Sequence, residues 1–108
     1  MKILITGNLG YIGSVLTAYL EKDGYEVTGF DVGYYKDNLV LDTKVPKNQI
    51  LKDLRDINEN DLENIDAVIH LASLSNDPLG EFNPDLTNQI NNICTINLAK
   101  IAKKVGVK

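Results

Sequence analysis

Thr6-Gly7-Asn8-Leu9-Gly10-Tyr11-Ile12-Gly13 sets three glycines three residues apart, between an apolar run and an amphipathic segment. Glycines at a strand-to-helix join let backbone turn sharply and come close to a bulky group. The helix beyond them presents unpaired N–H groups and the positive end of its dipole. That combination suits phosphate binding. In this role Gly7, Gly10 and Gly13 supply the turn, the close approach and the helix–strand packing, while the N–H groups of Tyr11 and Ile12 face the anion. A tight turn with one incidental glycine has the same spacing, so the loop alone decides nothing.

Asp31 raises the reading to a dinucleotide. An acid about 20 residues after the loop, at the end of a second strand, is what holds an adenosine ribose. Asp31 directly follows Val27-Thr28-Gly29-Phe30. A 2′-phosphate at roughly 4 Å from this carboxylate is repelled by about 4 kcal/mol per charge pair at an effective dielectric of 20. Arg55 is the only arginine, and Lys36 is the first cation after Asp31 in the sequence. The expectation is therefore NAD rather than NADP.

The elements that must position these groups come in chain order. Ile3-Leu4-Ile5 reads as a strand buried on both faces, as in a parallel sheet. Ile12, Val15, Leu16, Tyr19 and Leu20 share one helix face, and Gly24 is placed to end that helix. Residues 25 to 30 form a second strand closing at Asp31. Residues 32 to 47, with Tyr34-Tyr35 and Pro46, are irregular and longer than the usual connection. Gln49-Ile50-Leu51-Lys52 is a third strand ending at Asp53, and Asn58 caps a short helical turn through Leu62. Asp66-Ala67-Val68-Ile69-His70-Leu71-Ala72 is the next buried strand, with a polar loop over residues 73 to 82 at its carboxyl end. Asn83-Pro84-Asp85 starts a helix with a cap, a proline at the first position and an acid suited to the dipole. Leu86, Ile90, Ile93, Leu98, Ile101 and Val105 give it an apolar stripe, Gly106 ends it, and Val107-Lys108 begins another strand. Asn91 and Asn97 fall on or near the apolar face and need buried partners.

Composition limits the alternatives. The 108 residues suffice for one domain with a single core. A formal net charge of −4 argues against a nucleic-acid or anionic-membrane partner, because those need a basic face. The single cysteine, Cys94, and single histidine, His70, provide neither an internal disulfide nor a metal cluster. The opening apolar run breaks at Gly7, too early for a signal-peptide core or a bilayer span, so a cytoplasmic location is expected.

With these residues in hand, the chain resembles the N-terminal part of the extended short-chain dehydrogenase/reductase family, in its NAD-dependent epimerase/dehydratase branch acting on nucleotide sugars. The resemblance rests on the Thr6–Gly13 loop, Asp31, Asp53-Leu54-Arg55-Asp56, the strand ending His70-Leu71-Ala72-Ser73, and Asn91-Asn92-Ile93-Cys94-Thr95-Ile96-Asn97-Leu98. Its three-and-three glycine spacing departs from Gly-x-Gly-x-x-Gly and is typical of this family. The resemblance implies an α/β fold: a Rossmann-type, doubly wound and mainly parallel sheet, ending after the fourth strand-helix unit. It implies that Asp53 bonds the adenine amino group with the backbone of Leu54 beside it, and that Leu71, Ala72 and Ser73 line the ribose and nicotinamide side. His70 is expected to be a hydrogen-bonded scaffold residue and Cys94 a small packing residue. Asn91 is expected to approach the active site. The helix of residues 84 to 105 often builds a homodimer in the family, although its second face here is mostly polar (Asn88, Asn92, Lys100, Lys103).

Family chemistry rests on a Tyr-x-x-x-Lys pair and an upstream Ser or Thr, the lysine lowering the tyrosine's pKa for acid–base work during hydride transfer. Four residues after Tyr11, Tyr19, Tyr25, Tyr34 and Tyr35 stand Val15, Asp23, Gly29, Asn38 and Leu39. The expectation is an NAD-binding portion, residues 1 to 108, of an enzyme that oxidises a nucleotide sugar, with no catalytic residue of its own and no turnover alone. A standalone NAD-binding or sensor module is the alternative. A strand ending in Ser or Thr and then Tyr-x-x-x-Lys, beyond Lys108, would favour the enzyme over the module.

Overall fold

The computed structural model describes residues 1–33, 45–74 and 83–108. Tyr34, Tyr35, Lys36 and most of the loop after Ser73 lie outside the described residues. Four strands, β1 (Lys2–Thr6), β2 (Glu26–Asp31), β3 (Asn48–Leu51) and β4 (Ala67–His70), form one sheet in the order β3-β2-β1-β4, with every neighbouring pair parallel. Helix α1 (Tyr11–Lys22) joins β1 to β2. Two 3₁₀ turns, Leu54–Asp56 and Glu59–Leu62, lead into β4. A long helix comes next, made of α2 (Pro84–Asn88), a π-helical turn (Gln89–Ile93) and α3 (Cys94–Val105).

The alternation along β1 divides the core between two faces. Leu4 joins Phe30, Leu54, Ile57, Leu62, Cys94 and Leu98 on the side of the long helix. Ile3 and Ile5 join Val27 on the other, where Leu16 and Leu20 of α1 pack. Each of the largest buried side chains contributes roughly 1.5–3 kcal/mol by leaving water. Helices on opposite faces of a parallel sheet make the fold doubly wound, as the resemblance implies. Lys108 N–H donates to the Asp66 carbonyl (3.2 Å) and Val68 N–H donates to the Lys108 carbonyl (2.7 Å), which starts a further pairing on the outer edge of β4.

The caps read from sequence are present. Gly24 and Gly106 take positive φ at their helix ends. Asn83 Oδ1 accepts from Leu86 N–H (3.1 Å), and Asn58 closes a capping box with Asp61. Three details differ. Ile12, Val15 and Tyr19 are exposed, and α1 instead buries Gly13, Ser14 and Thr17. The reason is Gly13: a Cβ there would sit 2.2 Å from the Gly7 carbonyl oxygen, so the loop's closure turns this line of the helix inward. Ile93 is also exposed, while Cys94 is buried. Ile90, Cys94, Leu98 and Ala102 all pack on the core at steps of four. Steps of four drift off a 3.6-residue helix face, and a π turn absorbs the drift. Finally, Asn91, within the π turn, and Asn97, beside Leu98 on α3, are exposed rather than inward.

Candidate functional site

Strands β1, β2, β3 and β4 end at Thr6, Asp31, Leu51 and His70, so one carboxyl edge carries the glycine loop, Asp31, Asp53-Leu54 and Leu71-Ala72-Ser73. In open parallel sheets ligands bind at that edge. A shallow cleft at the opposite edge, lined by Lys2, Glu26, Glu59, Glu63 and Asp66, is no competitor. Glu26 pairs with Lys2, Glu59 with Lys104, and Asp66 accepts from the Lys2 N–H.

Gly7 has φ +74° and hydrogen-bonds Phe30 through its N–H (2.8 Å); a Cβ would lie 2.8 Å from the Ala72 nitrogen. It therefore serves both a turn and a close approach. Gly10 is the N-cap of α1 and supplies no side-chain cap, and the first turn holds no acid. Tyr11 and Ile12 are 70% and 66% exposed, which leaves the start of α1 open to an anion.

Asp31 fixes the loop from the β2 side. Its Oδ2 accepts from Leu9 N–H (3.1 Å) and its Oδ1 from Gly33 N–H (2.8 Å). Each carboxylate oxygen retains a lone pair for a ligand hydroxyl. Beside it lies a feature the sequence reading missed. Asn8, only 1% exposed, donates through Nδ2 to Gln49 Oε1 (2.7 Å), and Gln49 Nε2 donates back to Asn8 Oδ1 (3.1 Å). The pair lies over Gly29, whose Cβ would come within 2.2 Å of Gln49 and 2.3 Å of Asn8. A glycine inside a strand was the available signal, since it marks close approach of another group.

Asp53 caps its own turn: Oδ1 accepts from Arg55 N–H (2.9 Å), and the guanidinium reaches both carboxylate oxygens (3.0 and 2.7 Å). The Arg55 side chain holds Asp53 below the usual carboxylate range, against a smaller opposing effect of burial. The Leu54 side chain is in the core, so only its backbone is left for a ligand. Lys52 N–H donates to the Asp31 carbonyl (2.9 Å), which ties this turn to the end of β2.

On the β4 side, Thr6 is fully buried, and its Oγ1 accepts from Leu71 and Ala72 N–H (3.2 Å each). His70 bridges Thr6 Oγ1 (2.6 Å from Nδ1) and Thr95 Oγ1 (2.9 Å from Nε2), and burial pushes its pKa down. Asn91 clasps Leu74 backbone through both amide atoms. Cys94 is buried, which raises its thiol pKa and suits a packing role. Ser73 is exposed at the end of this arm. Among the described residues no group of three or more His, Cys, Asp or Glu could hold a metal.

The strand order and this edge define a Rossmann-type α/β unit with its glycine loop at the carboxyl edge. Residues 3–108 match the model of the NAD dependent epimerase/dehydratase family. The chain belongs to that family. It is 34% identical over 107 residues to UDP-glucuronic acid decarboxylase 1 of Danio rerio, an alignment covering 99% of this chain and 26% of that protein. It superposes with a TM-score of 0.86 and 29% identity on TunA, an NAD-dependent NDP-hexosamine 5,6-dehydratase of tunicamycin biosynthesis, over 99% of this chain and 35% of that one. The dTDP-glucose 4,6-dehydratase DesIV of Streptomyces venezuelae, solved with NAD bound, gives 0.85 and 27% over 99% and 37%. The chain thus spans about a quarter to a third of the length of these relatives. No helix among the described residues is long and apolar enough to cross a membrane.

Proposed function

We propose that this chain is the NAD-holding portion of a nucleotide-sugar epimerase or dehydratase. The carrying observation is the uncapped start of α1 behind Gly7, Gly10 and Gly13, with Asp31 tied to Leu9 of the same loop. The residues fit the cofactor: a Cβ at Gly7 or Gly13 would collide with backbone, and the entrance at Tyr11 and Ile12 is open. In this reading the Tyr11, Ile12 and Gly13 N–H groups hold the pyrophosphate, with Gly10 giving it backbone approach. Asp31 takes the adenosine ribose hydroxyls. Asp53 and the Leu54 backbone meet the adenine, and Leu71, Ala72 and Ser73 line the ribose and nicotinamide side. When bound, NAD accepts a hydride from a sugar carbon. The chain's own residues bind and orient it and provide no acid–base group. A cytoplasmic location and a homodimer through the long helix complete the proposal, the pairing centred on Ile93 and Ile96, which are 55% and 50% exposed.

Fluorescence titration with NADH and NADPH tests the reading. Tighter NADH binding is expected, and mixing with NAD and UDP-sugars should yield no NADH absorbance. Tighter NADPH binding, or none for either nucleotide, overturns it. Elution as a monomer at all concentrations removes the dimer alone.

A further inference from the structure

The hydrogen bonds around His70 can be given directions, because each hydroxyl has one hydrogen. Thr6 Oγ1 accepts from the Ala72 N–H and from the Leu71 N–H, which it shares with the Thr6 carbonyl at 3.0 Å. Its single hydrogen points to His70 Nδ1, 2.6 Å away, and because Thr95 spends its own hydrogen on the Asn91 carbonyl, Nδ1 is the bare ring nitrogen. The ring proton is then on Nε2, donated to Thr95 Oγ1 at 2.9 Å. Thr95 passes its own hydrogen to the Asn91 carbonyl at 3.0 Å, inside the π turn. The Asn91 amide accepts from Leu74 N–H (2.7 Å) and donates to the Leu74 carbonyl (2.9 Å). The chain of donors runs one way only, from Thr6 to the π turn, and from both ends it grips the segment Leu71 to Leu74.

We infer that His70 is a positioning residue, held as the neutral Nε2–H tautomer, which sets the Leu71–Leu74 segment against the glycine loop. A second ring proton would sit on Nδ1 and face the Thr6 hydroxyl hydrogen. Thr6 would then have to turn that hydrogen away from the ring and give up an amide donor to accept from it. Either way the contact between Ala72 and Gly7 loosens. The functional consequence rests on the cofactor reading above: NAD affinity falls on acidification through a residue that does not touch NAD. Among the described residues, the neighbouring elements offer no other proton acceptor in this range. Thr6 of β1 does not titrate, Cys94 on the helix has its thiol pKa raised, and Asp53, Arg55 and Asp56 act on that thiol while only burial acts on the ring.

His70 is the only histidine, so its signals in a ¹⁵N-labelled chain need no assignment. Long-range ¹H–¹⁵N correlation spectra should show one neutral Nε2–H species that takes its second proton below the ordinary value of 6.5. An Nδ1–H species, or a rapidly averaging mixture, overturns the inference without any substitution being made. In parallel, NADH affinity should weaken by up to about tenfold as pH falls from about 8 to below the ordinary imidazole range, the scale of one lost hydrogen bond to a buried group. His70→Asn can still accept from Thr6 but is too short to reach Thr95, and its affinity should be weakened yet flat over that range. The same pH profile in both proteins also overturns the inference. Failure of the unsubstituted chain to bind NADH at any pH sinks the cofactor reading instead, and the tautomer measurement then decides this one alone.

Discussion

The two arms of the carboxyl edge are fastened to the same loop by different means. Toward β3, Asn8 and Gln49 form a reciprocal amide pair over Gly29, and the Asp31 carboxylate takes the Leu9 N–H. Toward β4, Thr6, His70, Thr95 and Asn91 form a chain in which every hydrogen has one place to go. An amide pair keeps its pattern across the whole working pH range, and its weakness is volume. A hydroxyl–imidazole chain contains a group that can take up a proton, and its weakness is the proton. If the arms hold NAD as proposed, the adenosine side should therefore fail by steric or charge substitution, and the nicotinamide side by acidification.

The hinge common to both arms gives the largest expected effect. Gly13→Ala puts a methyl group 2.2 Å from the Gly7 oxygen and 2.7 Å from the Asn8 Cα, with only backbone to yield. A loss of about 3 kcal/mol is expected in urea unfolding, at the upper end of overpacking costs. Gly24→Ala is the control: its Cβ has nothing within 4 Å, so only the positive φ counts, about 1–2 kcal/mol. Equal losses for the two would show that loop closure is not what Gly13 serves.

Gly29→Ala separates the arms. The new methyl group must expel the Asn8–Gln49 pair, leaving a buried amide unsatisfied at a cost of about 2 kcal/mol. In an Asn8→Ala background the same change should cost at least about 1 kcal/mol less, because neighbours that share a space are not additive. Strict additivity would mean that the pair does not occupy the space over β2. The His70 tautomer should be the same in all these proteins, since it belongs to the other arm.

Much of this was legible beforehand, and the gaps have physical causes. Ile3-Leu4-Ile5, the Asn83-Pro84 start and Gly24 and Gly106 are local signals, and local signals fixed those elements. The glycine loop and Asp31 could be placed on one edge because parallel strands point their ends the same way. The buried line of α1 could not be found from hydrophobicity, since Gly13, Ser14 and Thr17 carry it and close packing at Gly13 decides it. The π turn was present as the spacing of Ile90, Cys94, Leu98 and Ala102, but the apolar Ile93 obscured it. The Asn8–Gln49 pair spans 41 residues and the Thr6–His70 contact 64, and no periodicity reports on contacts of that range.

Asp31→Ala tests the charge on the adenosine side. It removes two backbone hydrogen bonds and the repulsion toward a 2′-phosphate together. NADH affinity should fall about tenfold, as for loss of a charge-assisted bond, while NADPH affinity holds or rises. Parallel losses for both nucleotides would assign Asp31 to loop structure alone.

The smallest effect is expected at Arg55, where it sharpens the comparison most. Asp53 is the proposed adenine contact, yet both of its oxygens engage Arg55. An exposed pair of this kind is largely screened by solvent, so Arg55→Ala should barely move stability at neutral pH. The acid limb should move more visibly. Asp53 has its folded pKa below the ordinary 3.8, so its stabilisation is present above that value and is lost as pH falls through the lower, folded one. Without Arg55 that loss should shrink. If Asp53 also meets the adenine, freeing its carboxylate should leave NADH affinity equal or slightly higher. A clear fall in affinity with unchanged stability would instead place the Arg55 guanidinium at the cofactor. The adenosine arm would then carry a cation of its own, and its selectivity would be a balance between Asp31 and Arg55 rather than the work of Asp31 alone.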